Sequence, residues 1–443
     1  MKISKINVKN FKKIRNLGLE IPADNRVICF VGENGANKSS LLSALYANLR
    51  QTSDVTSPSD EQGRYVDNLN HVSISVSPDE QFSLLSLSLS ENETVIKSDR
   101  AIAPSPEHLS EENKQLLRTT FNRFYGAEKK FLWGISNLRN VDSYHPDFVR
   151  KNVVLFRPFN RTETPTWERE SQSENHDVVA TGDNIVGKRK FPMRVASGIE
   201  KTNSYFLDVV LDHLIDSANN RSSPHSLFNN FREILRTVEP AANGAFTVRQ
   251  FPDKRISFPN VPELASLSAG QSDWFVTAIN MLIQMKELAI NTAPELIRDA
   301  GGIVFIDEMD MNYHPSFQER VLPWFLDFFP NIQFVITTHS PYLIRSLGEN
   351  SLVVKLPTGE VLDDDFSYYD INEVALKVFG QDQGFSPIIK NKLVELKRAL
   401  SESNNVNARS IYDQLITKSE SLDRELNKII MTVADEEFIG GLQ

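Results

Sequence analysis

The sequence of 443 residues contains one cysteine, Cys29, so the chain forms no internal disulfide and a reducing compartment is the natural setting. No apolar stretch approaches the ~20 residues of a membrane-spanning helix, and the N-terminus lacks the apolar core of a signal peptide. Cytoplasmic placement with no membrane partner is the expectation. The eight histidines show no metal-ligand spacing and no HNH-type cluster. Positive charge is outnumbered, 48 Lys and Arg against 58 Asp and Glu: the net charge of −10 argues against a protein whose whole surface seeks nucleic acid. Local basic groups do occur, Lys9, Lys12, Lys13 and Arg15 near the N-terminus and Lys188, Arg189, Lys190 and Arg194 in the middle. Short runs of this kind read first as solvated surface clusters and second as DNA contacts, made through an assembled complex.

What the sequence does contain is a phosphate-loop pattern, Gly32-Glu33-Asn34-Gly35-Ala36-Asn37-Lys38-Ser39. The apolar run Val27 to Val31 precedes it, and a helical pattern from Ser40 to Leu45 follows. This is the strand, loop and helix context that the motif needs. In such a loop the backbone N–H groups from Glu33 to Ser40 surround the phosphates, Lys38 reaches the β- and γ-phosphates, and Ser39 contacts Mg²⁺. Asn37 departs from the pattern, which has glycine there. Asparagine is the non-glycine residue that best tolerates left-handed backbone angles, so the loop fold is expected to survive. A side chain beside the β/γ-phosphates would crowd them or donate to them, and slow or absent hydrolysis is the expectation.

Three further segments carry chemistry. Ile303 to Ile306 is an apolar run delivering Asp307 and Glu308, the first placed to hold Mg²⁺ and the second to polarise a water. Ile332 to Thr338 delivers His339, which could hydrogen-bond the γ-phosphate. Leu267-Ser268-Ala269-Gly270-Gln271 opens a helical stretch and makes a second anion site. Each has an ordinary reading alone: surface acids, a structural histidine, an N-cap. Their order carries the sharper meaning.

That order, GENGANKS, LSAGQ, IVFIDE and ITTHSP, resembles the ATP-binding-cassette type of ATPase in its SMC/RecF/OLD branch. The opening Ile3 to Lys12 resembles that branch's first strand and turn, and Asp307-Glu308 followed by His314-Pro315 resembles its OLD-like and defence-associated members. The resemblance covers residues 1–50 and about 260–350. It implies an α/β fold: an ABC-type P-loop ATPase head with a mainly parallel core sheet, an antiparallel β subdomain, a helical insertion and a helical C-terminal tail. It also implies ATP and Mg²⁺ as cofactors, and a site shared by two copies. Lys38 and Ser39 of one copy would then meet Ser268 and Gly270 of the other, so a homodimer or higher oligomer is expected.

The expected divisions are an ATPase lobe at 1–110, a mainly helical insertion at 111–255, a second ATPase lobe at 256–350 and a hairpin with a helical interaction region at 351–443. Segments 71–76 and 82–89 alternate as strands, while 111–133 and 200–238 read as helices, the latter broken at 219–224. The polar stretch 162–187 reads as mobile. The insertion is too short and interrupted for a sustained coiled coil. Asp363-Asp364-Asp365 follow a hairpin around Pro357-Thr358-Gly359 and read as a solvated turn, so no nuclease is expected in this chain. Helical patterns at 371–379 and 388–400 precede an amphipathic stretch, 408–433, with Ile411, Leu415, Leu422, Leu426, Ile429 and Ile430 on one face. That face would either pack onto the ATPase or dock a second protein.

The tail, short insertion and missing nuclease domain are similar to the PtuA family of Septu anti-phage systems and some retrons, which works with a separate HNH nuclease, PtuB. The resemblance implies a nucleotide-sensing regulatory scaffold of a defence complex. The alternatives are a RecF-like repair or recombination ATPase that binds DNA directly, and a self-contained OLD-type nuclease. The acidic balance and Asn37 favour the scaffold.

Overall fold

Five residues, Val27–Val31 (β3), are buried along their whole length, and a strand with no polar face needs cover on both sides. A computed structural model describes residues 1–51, 76–91, 94–103, 108–125, 137–141, 152–159, 194–195, 199–219, 227–240, 247–249, 255–257, 267–288, 294–380, 385–434 and 438–439. The chain divides into two compact units, Met1–Val374 and Ala375–Gln443.

In the first unit β3 lies inside a seven-stranded sheet. Its companions are Val153–Arg157 (β7), Arg194–Val195 (β8), Gly302–Ile306 (β11), Ile332–Thr337 (β12), Ser351–Lys355 (β13) and Glu360–Leu362 (β14), in the order β14-β13-β3-β12-β11-β7-β8. All pairings are parallel except the β13–β14 hairpin. The fold is therefore α/β with a mainly parallel sheet, and the C-terminal ends of β3, β11 and β12 open on one edge.

A second, antiparallel sheet has the order β2-β1-β4-β5-β6, from Lys2–Phe11 (β1), Ile14–Glu20 (β2), Ser83–Glu91 (β4), Thr94–Ile102 (β5) and Asn137–Val141 (β6), and Thr247–Arg249 (β9) pairs antiparallel with Arg255–Ser257 (β10). A shared core binds the sheets: Leu41, Leu42 and Leu45 of helix Lys38–Gln51 (α1) are buried with Ile6, Val8, Leu85 and Leu87 of one sheet and Ile28, Phe30 and Phe305 of the other. Each such buried side chain contributes about 1.5–3 kcal/mol. Tyr46 of α1 stacks on Phe156 at 5.0 Å and meets Phe305 edge-on at 5.8 Å. One polar clamp joins the sheets: the Gln333 side chain accepts from Ile3 N–H at 2.7 Å and donates to Ile3 O at 3.3 Å.

The expected strand at 82–89 is β4, whereas 71–75 lies outside the described residues. Helices Glu111–Tyr125 (α2), Ile199–Ala218 (α3) and Leu227–Val238 (α4) occupy the segments read as helical, with 126–133 outside the described residues. The stretch read as mainly helical also supplies β6, β7 and β8. β7 is a continuous apolar run buried on both faces, and periodicity alone does not separate such a run from a buried helix segment. Segment 162–187 and Lys188, Arg189 and Lys190 lie outside the described residues. The 353–361 hairpin forms as β13 and β14. Asp365 then caps the turn at Phe366–Tyr368, accepting from Ser367 N–H at 3.0 Å, and Asp364 accepts from Tyr369 Oη–H at 3.1 Å.

The remaining helices of the first unit are Ala269–Leu288 (α5), Pro315–Phe328 (α6) and Pro341–Arg345 (α7), and Ile371–Phe379 (α8) spans its boundary. The second unit contains Pro387–Ser401 (α9), Asn405–Leu415 (α10) and Glu420–Val433 (α11). The amphipathic stretch 408–433 forms two helices: Thr417 adopts φ 64°, and Ser419 restarts the helix by accepting from Leu422 N–H at 3.2 Å. Ile411, Leu415, Leu422, Leu426, Ile429 and Ile430 are buried together with Leu393, Leu396 and Leu400. The face read as available to the ATPase or to a second protein is occupied by this unit's own core. Among the described residues no helix is long and apolar enough to cross a membrane.

Candidate nucleotide-binding site

β3 ends at Gly32, where the chain turns under the hairpin loop: φ is 146°, and a Cβ would lie 2.4 Å from the Leu356 carbonyl oxygen. Only glycine fits there. Glu33, Asn34 and Gly35 are exposed, Ala36 is buried and its N–H donates to Glu33 O at 3.1 Å, and Gly35 adopts φ 79°. Asn37 sits at φ 67°, the left-handed conformation expected of it, and its carbonyl accepts from Leu41 N–H at 2.9 Å to open α1. Its side-chain amide nitrogen is buried without a hydrogen-bond partner. Ser39 and Ser40 are half-buried in the first turn.

Lys38 is buried, and its ammonium donates to Gly32 O at 3.0 Å and Glu33 O at 3.1 Å, folding back across the loop it follows. Burial lowers its pKa, opposed by the negative charges of Glu308, Asp307 and Asp310. These acids belong to the turn after β11. Asp307 is buried; its N–H donates to Arg157 O at 2.9 Å, and its carboxylate accepts from Thr337 Oγ1–H at 2.6 Å. Glu308, half-buried at φ 46°, donates its N–H to the same Thr337 oxygen at 2.7 Å. Asp310 accepts from Thr338 Oγ1–H at 2.5 Å and from His339 N–H at 3.2 Å. The His339 pKa is lowered, by burial first and Lys38 second, while Asp310 and Asp307 pull it upward.

Lys38, Asp307, Glu308 and His339, far apart in sequence, thus form one electrostatic cluster at the C-terminal edge of the parallel sheet. The cluster also takes in Asp310 and Thr337, which the sequence reading did not single out. Asp310 was legible as a third acid two residues beyond Glu308. Thr337 needed the parallel register that sets β12 beside β11. Of the N-terminal basic group, Lys9, Lys13 and Arg15 are exposed, as in a solvated cluster, and Lys12 is half-buried. The turn joining β1 to β2 carries Lys12 at φ 51° to the loop, where its ammonium donates to Ser40 Oγ at 2.6 Å. Lys13 Nζ lies 3.4 Å from where a Gly35 Cβ would be. Burial lowers the Lys12 pKa. Arg15 instead pairs with Glu80 at 3.0 Å.

Ser268 and Gly270 have their contacts elsewhere. Ser268 and Gln271 make a capping box at the start of α5: Ser268 N–H donates to Gln271 Oε1 at 3.0 Å, and Gln271 N–H donates to Ser268 Oγ at 3.3 Å. Gly270 abuts the acid turn: a Cβ there would lie 2.6 Å from Asn312 O. His314 caps α6, with Ser316 Oγ at 2.9 Å from its Nδ1 and Pro315 in the first helical turn. Cys29 is fully buried, and burial pushes its thiol pKa up, as for an inert small hydrophobe.

The donor set suits a polyphosphate: a glycine-containing loop, a helix N-terminus and three lysines, Lys12, Lys13 and Lys38. Among the described residues no group of three or more His, Cys, Asp or Glu side chains is placed to hold a metal ion. One carboxylate and a hydroxyl, Asp307 and Ser39, suit an ion that takes its other ligands from phosphates and water, as Mg²⁺ does.

Comparison with known proteins agrees with this geometry. The family described as "AAA ATPase domain" matches residues 1–187, and "AAA domain, putative AbiEii toxin, Type IV TA system" matches residues 263–345. These two segments are thus similar to AAA-type ATPase domains, and the match over residues 1–187 implies nucleotide binding. It is 23% identical over 387 residues to the "Retron Ec83 probable ATPase" of Escherichia coli, covering 80% of this chain and 71% of that one. It is 25% identical over 131 residues to the "Septu protein PtuA" of Bacillus thuringiensis, covering 27% of this chain and 32% of that relative's length. The chain is thus related to the retron ATPases and to Septu PtuA. Among solved structures, the SMC head domain from Thermotoga maritima is similar at 13% identity and a TM-score of 0.37, over 82% of this chain and 98% of that one. At that score it assigns nothing to this chain.

Proposed function

We propose that this ATPase is a nucleotide-sensing scaffold of an anti-phage defence complex, pairing with a second copy around ATP and Mg²⁺ and restraining a separate HNH nuclease of the PtuB type. The observation that carries the reading is the meeting of Lys38, Asp307, Glu308 and His339 at one sheet edge, in a chain related to retron ATPases and PtuA. In it, Lys38, Lys12 and the loop backbone from Gly32 to Ser40 bind the phosphates. Ser39 and Asp307 hold Mg²⁺, which when bound neutralises charge on the phosphate oxygens. Glu308 orients the attacking water, and neutral His339 reads the terminal phosphate. Ser268 and Gly270 complete the partner's site.

Asn37 crowds the phosphates in this scheme, so the complex holds ATP for long periods and turns it over slowly. Nucleic acid is reached through the assembled complex. The test is co-expression with the product of a neighbouring HNH gene, followed by purification and a nuclease assay with and without ATP. A stable complex whose cleavage depends on the nucleotide supports the proposal. Absence of such a partner, together with salt-dependent duplex binding by this chain alone, would replace it with a RecF-like role.

A further inference from the structure

Among the described residues, the buried carboxylate of Asp273 accepts from two other parts of the fold, Arg157 and Tyr313. It lies in the first part of α5, a few residues after Ser268 and Gly270, and is 5% exposed. Its Oδ1 accepts from Arg157 Nε at 3.1 Å and from an Arg157 terminal nitrogen at 2.6 Å, and its Oδ2 accepts from Tyr313 Oη–H at 3.1 Å. Arg157 ends β7, and its carbonyl receives Asp307 N–H. Tyr313 ends the acid turn, where Gln318 donates to the carbonyls of Tyr313 at 2.8 Å and Asp310 at 3.3 Å. The same Gln318 side chain accepts from the hydroxyl of Ser340, the residue after His339. Gly270 leaves no space between these parts, since a Cβ there would meet Asn312 O at 2.6 Å and Tyr313 Cδ1 at 3.0 Å.

We infer that Tyr313, Asp273 and Arg157 are positioning residues that fix the start of α5 to the acid turn, so that the two half-sites of one protomer bias each other. The inference rests on the proposed pairing of heads. Nucleotide at Lys38 senses the acid turn of its own chain, while the partner's nucleotide meets Ser268 and Gly270 at the start of α5. A close-packed contact with a buried, hydrogen-bonded carboxylate behind it has few alternative arrangements, so a shift at one end is passed to the other. The coupling is reciprocal: filling one composite site favours filling the second.

The test uses the full chain and Tyr313→Phe, which removes one hydroxyl and keeps the ring against Trp274. Two quantities are read: ATP·Mg²⁺ affinity of dilute protein, and ATP-driven self-association by sedimentation. Tyr313→Phe should leave the affinity within about twofold and weaken association by about tenfold, the range for one charge-assisted hydrogen bond transmitted as coupling. Asp273→Asn should act in the same direction, and the double variant should be no worse than the weaker single one, because both remove the same link. Unchanged association in Tyr313→Phe, an equal loss of affinity, or additive losses would overturn the inference while leaving head pairing intact. Wild-type protein that stays monomeric with ATP would overturn the pairing, and the coupling with it.

Discussion

Replacing Asn37 with glycine should stabilise the protein and speed ATP turnover, and the size of the first effect follows from the geometry. Asn37 holds φ 67°, a conformation that costs a residue with a Cβ roughly 1 kcal/mol. Its amide nitrogen is buried without a partner, and an unsatisfied buried donor costs about 1–3 kcal/mol. Glycine removes both terms but loosens the unfolded chain, an opposing effect of about 0.4–1 kcal/mol. The net is a gain of about 1–3 kcal/mol, a rise in melting temperature of about 1–3 °C for a chain of this size. Thermal unfolding without nucleotide measures it, and phosphate release with ATP and Mg²⁺ measures the second effect. A lower melting temperature for Asn37→Gly would refute the strain reasoning. Unchanged phosphate release would show that Asn37 does not set the rate.

Lys38→Ala should weaken ATP binding by at least about tenfold, since the ammonium is the buried cation of the loop; isothermal titration checks it, and equal affinity refutes the loop assignment. Arg157→Ala should cost about 3–5 kcal/mol in urea unfolding because it removes the cation paired with the buried Asp273 carboxylate, 5% exposed. The lowered pKa of His339 means that the unfolded chain takes up its proton first as pH falls. Its contribution to stability is thus complete above the ordinary histidine pKa and is lost as pH drops from there toward the folded value. His339→Gln should flatten that part of a stability–pH profile, and an unchanged slope would refute the assignment.

The loop, the acid-tipped strand and the strand-end histidine were readable because each is a local pattern: an apolar strand followed by the residues it delivers. Lys12 and Lys13 were not, since their composition matches that of any solvated basic turn and only the β1–β2 hairpin brings them to Ser40 and Gly35. Thr337 was hidden for a related reason, as its role depends on the register between β11 and β12. β5 escaped notice because Thr94–Ile102 carries Lys97, Asp99 and Arg100 in mid-strand, and pairing with β4 along nine residues overrides that polar composition. In the tail the apolar face was visible, but its occupant was not: the break at 416–419 folds α11 back so that the face covers itself.

ATP as the glue between two heads is the central claim, and the mass of the full-length chain in solution tests it most directly. With ATP and Mg²⁺ at micromolar protein concentration, sedimentation should give at least twice the chain mass, and Lys38→Ala should stay at the mass seen without nucleotide. A wild-type mass that ATP does not change would contradict it.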